Sequence, residues 1–352
     1  MPQVQHEELR RLGRALLAAA GCDTEEAGIV ADHLVEANLK GHDSHGMGNL
    51  PGYLRRLGSG GTAPGQQPVV VLDQGPLLVM DGKRGLGQAI ARTSMALAIG
   101  KAKTHGVCVV SIRNSGHMGR IGTYGEQCAE AGLASLHFVN VSGAQAYVAP
   151  FAAREPRYST NPFCFAVPGG DRNPAVVLDC ATSEVAWGKL RVAFNKGEPA
   201  PAGTILGPDG RPTTDLSAMI PDLLGAMVGF GGHKGSGIAL MCELFGAALG
   251  GGDTIQPGNP RDGIVTNNML SILIDGARLS DAGRIRREVD AMVDYVRSAA
   301  PIDPARPVMV AGDPERRSKA ERLARGIPLD PETWRILAGL AKAAGVTMPA
   351  AA

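Results

Sequence analysis

Apolar side chains recur every three or four positions near the start of the chain, which predicts two helices in the first 40 residues. The apolar stripe of the first helix is Leu9, Leu12, Leu16 and Leu17. Asp23 and Glu26 have the spacing of a capping box, so the second helix is expected to begin there. Gly21 and Gly41 are the expected stops, and a short helical piece follows at 53–57.

From Val69 the pattern changes to apolar strands that alternate with amphipathic helices. The expected strands are 69–72 and 77–80 (a hairpin), 107–112, 134–139, 163–167, 175–178, 269–274 and 307–310. The expected helices are 88–104, 119–131, 235–249, 278–298, 314–325 and 331–344. Because helical ends flank an α/β middle, the pattern predicts a mainly helical, discontinuous domain from 1–72 and 299–352, and an α/β domain at 73–298.

Composition and charge narrow the class of protein. The 352 residues are 44% apolar, and 35 Lys and Arg nearly balance 34 Asp and Glu, so no basic excess is present to bind a nucleic-acid backbone. Six scattered cysteines, without a Cys-x-x-Cys pair, fit a reducing compartment. Charged residues at the N-terminus are unlike a signal peptide, and the uncharged run 131–153 is interrupted by polar residues and Pro150. We expect a soluble, cytoplasmic protein without a membrane segment.

The common nucleotide fingerprints do not occur. No Gly-x-Gly-x-x-Gly follows a predicted strand, since the stretches at 85–87 and 229–231 lack the third glycine. The glycines around Lys234 have the wrong spacing for a phosphate-binding P-loop. Generic motifs therefore give no reason to expect a Rossmann fold.

The first polar cluster is 41–46, which contains His42, Ser44 and His45 just after a helix. Histidine is the usual general acid or base near neutral pH, and a neighbouring hydroxyl can relay its proton. The alternative is a solvated loop at the end of the helix. A metal site is weaker still, because His42 and His45 have no third ligand nearby, and we predict none.

Two further clusters follow predicted strands. The segment 113–120 contains His117, Met118, Gly119 and Arg120, where a strand leads into a helix and backbone amides favour an anion. The segments 159–162 and 179–183 bring hydroxyls and Asp179, which suit a ribose or a carboxylate. Each is equally open to a structural interpretation, as a polar turn or a helix cap.

The fourth cluster, 229–235, places four glycines, His233 and Lys234 before the helix expected at 235–249. Glycines permit close approach, the helix start offers free N–H groups, and Lys234 adds charge, all of which favour a phosphate site. A glycine turn before a core helix explains the same pattern.

Taken together and in order, these clusters resemble the malate/L-lactate dehydrogenase family of non-Rossmann enzymes, most closely its hydroxycarboxylate dehydrogenase branch. The segments that carry the resemblance are Asp43-Ser44-His45-Gly46, Ser115-Gly116-His117, Ser159-Thr160-Asn161-Pro162, Asp179-Cys180-Ala181-Thr182-Ser183, Gly232-His233-Lys234-Gly235, Asn267-Asn268-Met269-Leu270 and Gly312-Asp313-Pro314-Glu315-Arg316. They span nearly the whole chain.

The resemblance implies a mixed, largely antiparallel sheet wrapped by helices, a homodimer, and hydride transfer between NAD (NADP is possible) and a small 2-oxo or 2-hydroxy acid. His45 matches the family's proton donor, Ser44 its relay, and Thr160 a substrate contact. His117 matches an acid/base residue in some members. The positions that match cofactor contacts are His117, Met118, Gly119, Asp179, Cys180, Ala181, Lys234, Asn268, Gly312, Asp313, Pro314 and Glu315.

Two positions depart from the imino-acid-reducing and ureido-acid branch, which is the main alternative. Its members carry an arginine that binds the substrate carboxylate where this chain has Asn49, and an aspartate relay where it has Lys189. Both changes favour a hydroxy acid. They also leave the carboxylate without an assigned arginine, and Arg120, beside the cofactor turn, is our candidate. A non-catalytic binding protein of the same fold is the remaining alternative.

Overall fold

The computed structural model describes the backbone of residues 1–350 and every side chain in that range except those of Asn195 and Lys196. Within this range ten α-helices occur: α1 His6–Ala19, α2 Thr24–Leu39, α3 Leu50–Gly58, α4 Gly87–His105, α5 Gly122–Glu130, α6 Trp187–Lys196, α7 His233–Gly246, α8 Ala282–Arg297, α9 Asp313–Arg325 and α10 Pro331–Ala343.

The same residues contain twelve strands: β1 Gln3–Val4, β2 Val69–Gln74, β3 Leu77–Asp81, β4 Val107–Ser115, β5 Ala134–Ser142, β6 Phe163–Val167, β7 Val176–Cys180, β8 Ile205–Leu206, β9 Pro212–Thr213, β10 Ala226–Met227, β11 Thr266–Ile274 and β12 Ile327–Pro328. Seven of them form the main sheet, in the order β2-β3-β4-β11-β5-β6-β7.

The main sheet is mixed and largely antiparallel, as predicted. Only β3 and β4 run parallel, and α4 makes the crossover between them. All other neighbours in this sheet are antiparallel. Helices α4 and α5 pack on one face, and α7 packs on the other against β5 and β11. The architecture is therefore not the parallel, doubly wound sheet of a Rossmann fold.

The two ends of the chain share a hydrophobic core. β1 pairs with β12, and leucines of α1 and α2 pack with Leu337 and Ala341 of α10. A second core lies between the main sheet and α4 and α5. These separate cores support the division into 1–72 with 299–352 and 73–298, which remains our proposal.

The capping prediction for α2 is half right. Asp23 accepts a hydrogen bond from the Glu26 amide at 2.8 Å, as an N-cap should. The Glu26 carboxylate does not return to the cap; it accepts from the amide of Gly65 at 2.8 Å and so fixes the loop after α3.

Several predicted elements have different bounds. The strand expected at 307–310 is wrong: the segment is irregular, because the Val310 amide donates to Asp313 rather than to a strand. The helix expected at 278–298 begins at Ala282, and the one expected at 119–131 begins at Gly122. Helix α6 and the small sheet β10-β8-β9 were not predicted. The three strands have two residues each, which is too short to show a period, and few of the described residues of α6 are buried.

Candidate active site

The centre of the candidate site is a pair of stacked histidines. His45 lies in a short 3-10 turn after α2, and His117 lies after β4. Their ring centroids are 5.7 Å apart with 10° between the planes. Nδ1 of His45 is buried and has no hydrogen-bond partner in the part of the chain that the structure describes. A buried polar atom without a partner is costly, and at a functional site it marks where another group is expected to bind.

His117 is held by Tyr53. The Tyr53 hydroxyl lies 2.7 Å from Nδ1 of His117, and it accepts a hydrogen bond from the Gln88 amide at 2.8 Å. With Gln88 as its donor, the hydroxyl is free to donate its own proton to Nδ1. This network assigns the proton of neutral His117 to Nε2. His45 has no comparable partner, so it is the freer of the two bases.

Both histidines are neutral near pH 7. Burial lowers the pKa of His45 to about 4, although the Asp179 charge acts in the opposite direction. Burial also lowers the pKa of His117 well below its usual value, and the charges of His45 and Arg56 add to this effect. Neutral imidazole accepts a proton, so this arrangement favours a general base.

The His45 turn is fixed by contacts from both ends of the chain. Asp43 accepts two hydrogen bonds from Arg322 of α9, at 2.6 and 2.9 Å. The Asn38 side chain bonds Asp43 and the Met47 amide across the turn. Gly46 leaves no room for a side chain, since a Cβ there would lie 2.2 Å from Asn38. The catalytic candidate is therefore held rigidly by a side chain from α9.

Ser44 and Asn49 lie together beside His45. The Asn49 amide donates to the Ser44 carbonyl at 2.5 Å, which ties the start of α3 to the turn. Gly188, in the first turn of α6, approaches so closely that a Cβ there would lie 2.7 Å from the Ser44 Cβ. Helix α6 thus covers this side of the site, and Lys189 on its surface is exposed.

Arg120 is buried and already paired. Its side chain is only 1% exposed, and its Nη1 donates to both oxygens of Glu126 at 3.0 Å. Its Nε lies 3.6 Å from Asp179, and its backbone amide donates to His33 at 2.8 Å. Two carboxylates therefore already balance its charge, which weighs against a third from the substrate and favours a positioning role.

The proposed cofactor turn 117–119 is tightly packed. The Met118 amide donates to Asn267 at 2.9 Å, and Gly119 has φ of +73°. A Cβ on Gly119 would lie 2.4 Å from the His33 ring, so only glycine fits in this position. Met118 and Gly119 are therefore held in place by the surrounding protein, and the contact of this turn with a cofactor stays a prediction.

The structure brings the other clusters together around Thr182. Both the amide and the hydroxyl of Thr182 donate to the Thr160 carbonyl, at 2.9 and 3.0 Å. The Phe230 amide donates to the Thr182 carbonyl at 3.0 Å, which brings the glycine turn 229–235 against this loop. Lys234 is exposed in the first turn of α7, as the phosphate-site prediction requires. Cys180 and Ala181 are partly exposed at the end of β7.

A buried carboxylate links the loop 159–162 to strands β5 and β11. Glu243 of α7 accepts hydrogen bonds from the side chains of Asn161 at 2.8 Å and Asn140 at 3.0 Å, and from the Ile255 amide at 2.9 Å. Asn140 in turn accepts from the Asn268 amide group at 2.9 Å. Burial raises the pKa of Glu243, and its hydrogen-bond donors oppose that rise.

Asn268 and Asp313, both predicted cofactor contacts, are engaged within the protein. The Asn268 amide group also donates to the Asp253 carbonyl, and its oxygen accepts from the Asn114 amide. Asp313 is bound by Arg297 at 2.7 Å and Arg316 at 2.6 Å. Burial would raise the pKa of Asp313, but these arginines outweigh it and lower the pKa to about 2. These contacts favour indirect roles for both side chains.

Glu315 connects α9 to the histidine turn. Its carboxylate lies 3.0 Å from Nε2 of His42, and its charge also reaches Arg120. Gly312 has φ of +92°, which suits glycine, and Pro314 lies in the first turn of α9. Glu315 therefore ties the segment 312–315 to the His42–His45 turn, and the role of this segment as a cofactor contact stays a prediction.

Two kinds of feature, a membrane-spanning helix and a metal site, are not found among the described residues. In residues 1–350, no helix combines the length and apolarity needed to cross a membrane. Among the same residues, no three His, Cys, Asp or Glu side chains form a group that could hold a metal ion.

Sequence reasoning missed Tyr53, Gln88, Glu126 and Glu243. Tyr53 was visible only as an apolar position in a short helix, although a tyrosine buried in a polar environment usually bonds through its hydroxyl. Glu243 lies in the middle of an apolar helix, where a buried acid requires partners. That pattern was the one signal that could have identified it.

Comparison with known proteins agrees with the geometry. The family model for malate/L-lactate dehydrogenase matches residues 4–338. The chain is 42% identical to L-lactate dehydrogenase of Cupriavidus necator, over 97% of this chain and 98% of that protein. It is 40% identical to hydroxycarboxylate dehydrogenase B of Escherichia coli, over 95% and 92% respectively.

A solved structure extends this agreement to the fold. The sulfolactate dehydrogenase of Methanocaldococcus jannaschii superposes with a TM-score of 0.87 at 31% identity, covering 98% of each chain. With a matching family model over nearly its whole length and relatives at 40% and 42% identity, this chain belongs to the malate/L-lactate dehydrogenase family.

Proposed function

We propose that this protein is an NAD(P)-dependent dehydrogenase that interconverts 2-hydroxy acids and 2-oxo acids. The observation that carries the proposal is His45, a buried neutral base with an unpartnered Nδ1, stacked on His117. It lies among the segments that define the family. NAD is the expected cofactor, and NADP is the alternative.

The residues present fit a dinucleotide. The turn 117–119 and the glycine turn before α7 offer backbone close to the site, and Gly231 and Gly232 have φ of +55° and +64°. Lys234 is the exposed cation at the start of α7, where the helix dipole favours the negative charge of a phosphate. His117, Met118, Gly119, Asp179, Cys180, Ala181, Lys234, Asn268 and 312–315 are the proposed binding positions. A bound nicotinamide supplies or accepts the hydride.

The protein's own residues handle the proton. In oxidation, neutral His45 takes the proton from the substrate's C2 hydroxyl, and in reduction, protonated His45 returns it. Ser44 is the proposed relay. His117 is tied to Tyr53, so it positions His45 and is the second candidate for the proton transfer. Both rings are half-buried, so part of each ring is open to a substrate.

Thr160 and Asn49 are the proposed polar contacts for substrate. Asn49 lies beside Ser44, and the Thr160 carbonyl already accepts from Thr182. Arg120, the arginine predicted from sequence, is occupied by Glu126 and Asp179. We therefore propose that Arg120 holds this corner of the site rather than binding the substrate carboxylate.

A homodimer in the cytoplasm is proposed with this activity. Large apolar side chains are exposed on α7 and on the outer strands: Leu240, Met241, Leu244, Phe165, Val167 and Leu178. Exposed apolar surface of this kind favours a subunit contact. All six cysteines are free, which suits a reducing compartment. Analytical ultracentrifugation of the purified protein tests the dimer.

A substrate panel tests the activity. Pyruvate, phenylpyruvate and oxaloacetate are each offered with NADH and then with NADPH, and the loss of reduced nicotinamide is followed by absorbance. A cyclic imino acid is the control for the alternative branch. Turnover of a 2-oxo acid with either cofactor supports the proposal. Turnover of the imine alone would assign the chain to the other branch.

A further inference from the structure

We propose that Arg56 of α3 binds the carboxylate of the 2-oxo or 2-hydroxy acid, in place of the arginine that Asn49 lacks. The inference rests on the proposed function, because it names the group that orients that substrate. It is drawn from the stacking of Arg56 on Tyr53, which is hydrogen-bonded to His117, and from the lack of a carboxylate partner for Arg56 among the described residues.

The first observation is the stacking of Arg56 on Tyr53. The guanidinium carbon lies 5.0 Å from the centroid of the Tyr53 ring. Tyr53 is bonded through its hydroxyl to His117, which stacks on His45. A chain of three aromatic rings therefore connects Arg56 to the proton-transfer group, and the cation–π contact fixes the guanidinium plane.

The second observation is the direction of the side chain. Long side chains of a helix lean toward its N-terminus. Nη1 of Arg56 lies 3.6 Å from where a Cβ on Gly52 would be, one turn earlier in α3. That end of α3 begins at Asn49, which is bonded to Ser44 beside His45. Arg56 thus carries its charge toward the place where Asn49 supplies none, and Nη2 of Arg55 lies 3.9 Å from the same Cβ position on Gly52.

The third observation is the electrostatic state of Arg56. The guanidinium is half-buried, and no carboxylate of a described residue is among the charges that act on it. Its own charge reaches His117. Arg120, by contrast, has two acids. A half-buried arginine without an anion is a ready partner for one, and its planar fork matches both oxygens of a carboxylate.

The function of such a contact is orientation. The carboxylate of a 2-oxo acid is bonded directly to the carbon that receives the hydride. Fixing it limits rotation of the substrate and presents the C2 oxygen to His45. The proposal therefore predicts that Arg56 selects substrates with a free carboxylate and contributes little to binding of the cofactor.

The test compares each acid with its uncharged methyl ester. For the most active acid among pyruvate, phenylpyruvate and oxaloacetate, kcat/KM is measured for acid and ester with the wild type, Arg56→Met, Arg56→Lys and Arg55→Met. Arg55 is the matched control, because it is the exposed neighbour on the same helix. Circular dichroism and thermal melting establish that each variant is folded.

We expect Arg56→Met to lower kcat/KM for the acid by about 10- to 100-fold, the effect of a lost charged hydrogen bond. Activity on the ester and affinity for NADH should stay unchanged, Arg56→Lys should be intermediate, and added guanidinium ion should restore part of the loss. Arg55→Met should behave as the wild type. Equal losses for acid and ester would overturn the inference, since they would mean that Arg56 only supports Tyr53.

A binding measurement separates this inference from the proposed function. Oxamate, an unreactive analogue of pyruvate, is titrated by calorimetry into the protein with NADH bound. Loss of oxamate affinity of about tenfold or more in Arg56→Met supports the inference, whether or not the wild type turns over any acid. If the wild type turns over none, the proposed function fails and the inference about Arg56 stands. Unchanged oxamate affinity in Arg56→Met would overturn the inference.

Discussion

The rings of His45 and His117 lie nearly parallel, 10° apart in plane and 5.7 Å between centroids. When two imidazoles lie this close, a positive charge on one lowers the pKa of the other, as the charge of His45 does for His117. Because Tyr53 occupies Nδ1 of His117, the pair is asymmetric. His45 is left as the base that exchanges protons with the substrate.

The first prediction is that His45→Gln lowers kcat by about 10²–10⁴-fold, the usual contribution of general acid–base catalysis. Glutamine keeps a polar side chain of similar reach but cannot carry the proton. Affinity for NADH, measured by calorimetry, should stay near the wild-type value because the cofactor positions are untouched. Steady-state kinetics on the folded variant gives the result.

The control for that variant is His117→Gln. It removes the partner of Tyr53 and should reduce activity less than the change at His45. If His45→Gln retains turnover within a few-fold of wild type while His117→Gln does not, the proton transfer belongs to His117.

The second prediction concerns pH. With the pKa of His45 at about 4 in the free enzyme, the neutral base predominates throughout the neutral range. For oxidation, kcat/KM should rise with pH through this pKa and be flat above about pH 5. For reduction, which needs protonated His45, kcat/KM should fall about tenfold per pH unit above it. Parallel profiles in both directions would contradict the assignment.

Much of the fold was predictable because the periodicity was strong. The strands around Val107 and Phe163 and the helices α1 and α4 are regular, apolar on one face and bounded by turn residues. Helix α6 was not predicted, since only a few of its residues are buried and its packing against Ser44 is set by tertiary contacts. The strand at 307–310 failed because the local pattern cannot report that Asp313 binds the Val310 amide.

The sequence names candidate members of the site, whose roles stay predictions, but not their contacts. The segments around His45, His117, Thr160 and Lys234 were all found from sequence, and the structure brings them together through loops. That Arg120 faces Glu126 could not be known from sequence, because the pairing depends on how α5 is placed against the turn 117–119. Buried charges are governed by such pairings, which no local pattern encodes.

The third prediction is that Lys234→Ala weakens NADH binding by about 1.5–3 kcal/mol, as expected for a charged hydrogen bond to phosphate or ribose. Isothermal titration calorimetry measures it. Lys103→Ala is the matched control, because Lys103 is also exposed on a helix but lies about 24 Å along α4 from the end that contacts His117, at 1.5 Å per residue. Equal affinities for all three proteins would mean that the glycine turn before α7 is structural only.

The fourth prediction concerns Glu243, which accepts three hydrogen bonds in a buried site. Glu243→Gln keeps the size and shape of the side chain but replaces one carboxylate oxygen with an NH₂ group. That NH₂ group then faces an N–H donor, so at least one hydrogen bond is lost. We expect the free energy of unfolding to fall by about 1–3 kcal/mol, the cost of unsatisfied buried groups.

Urea unfolding measures that loss, and KM for both substrate and cofactor should rise, because Glu243 joins Asn161 to the strand of Asn268. The control Glu332→Gln removes an exposed carboxylate paired with Arg335. It should leave the free energy of unfolding close to the wild-type value, because an exposed ion pair contributes little to stability. Equal effects of the two variants would show that the Glu243 network does not hold the site.

The fifth prediction links the buried histidines to acid stability. Burial lowers the pKa of His33 and His137 to about 3 and of His45 to about 4, below the usual 6.5. Because the unfolded chain then binds more protons than the folded one, the stabilising contribution is complete above pH 6.5 and is lost as pH falls toward these values. As pH falls through this window, each histidine should lower the free energy of unfolding by about 1.4 kcal/mol per pH unit. Urea unfolding at several pH values gives the slope of the unfolding free energy against pH. His45→Gln should reduce this slope by the amount that corresponds to one bound proton. A slope that His45→Gln leaves unchanged would mean that His45 is charged, or exposed to water, in the folded protein.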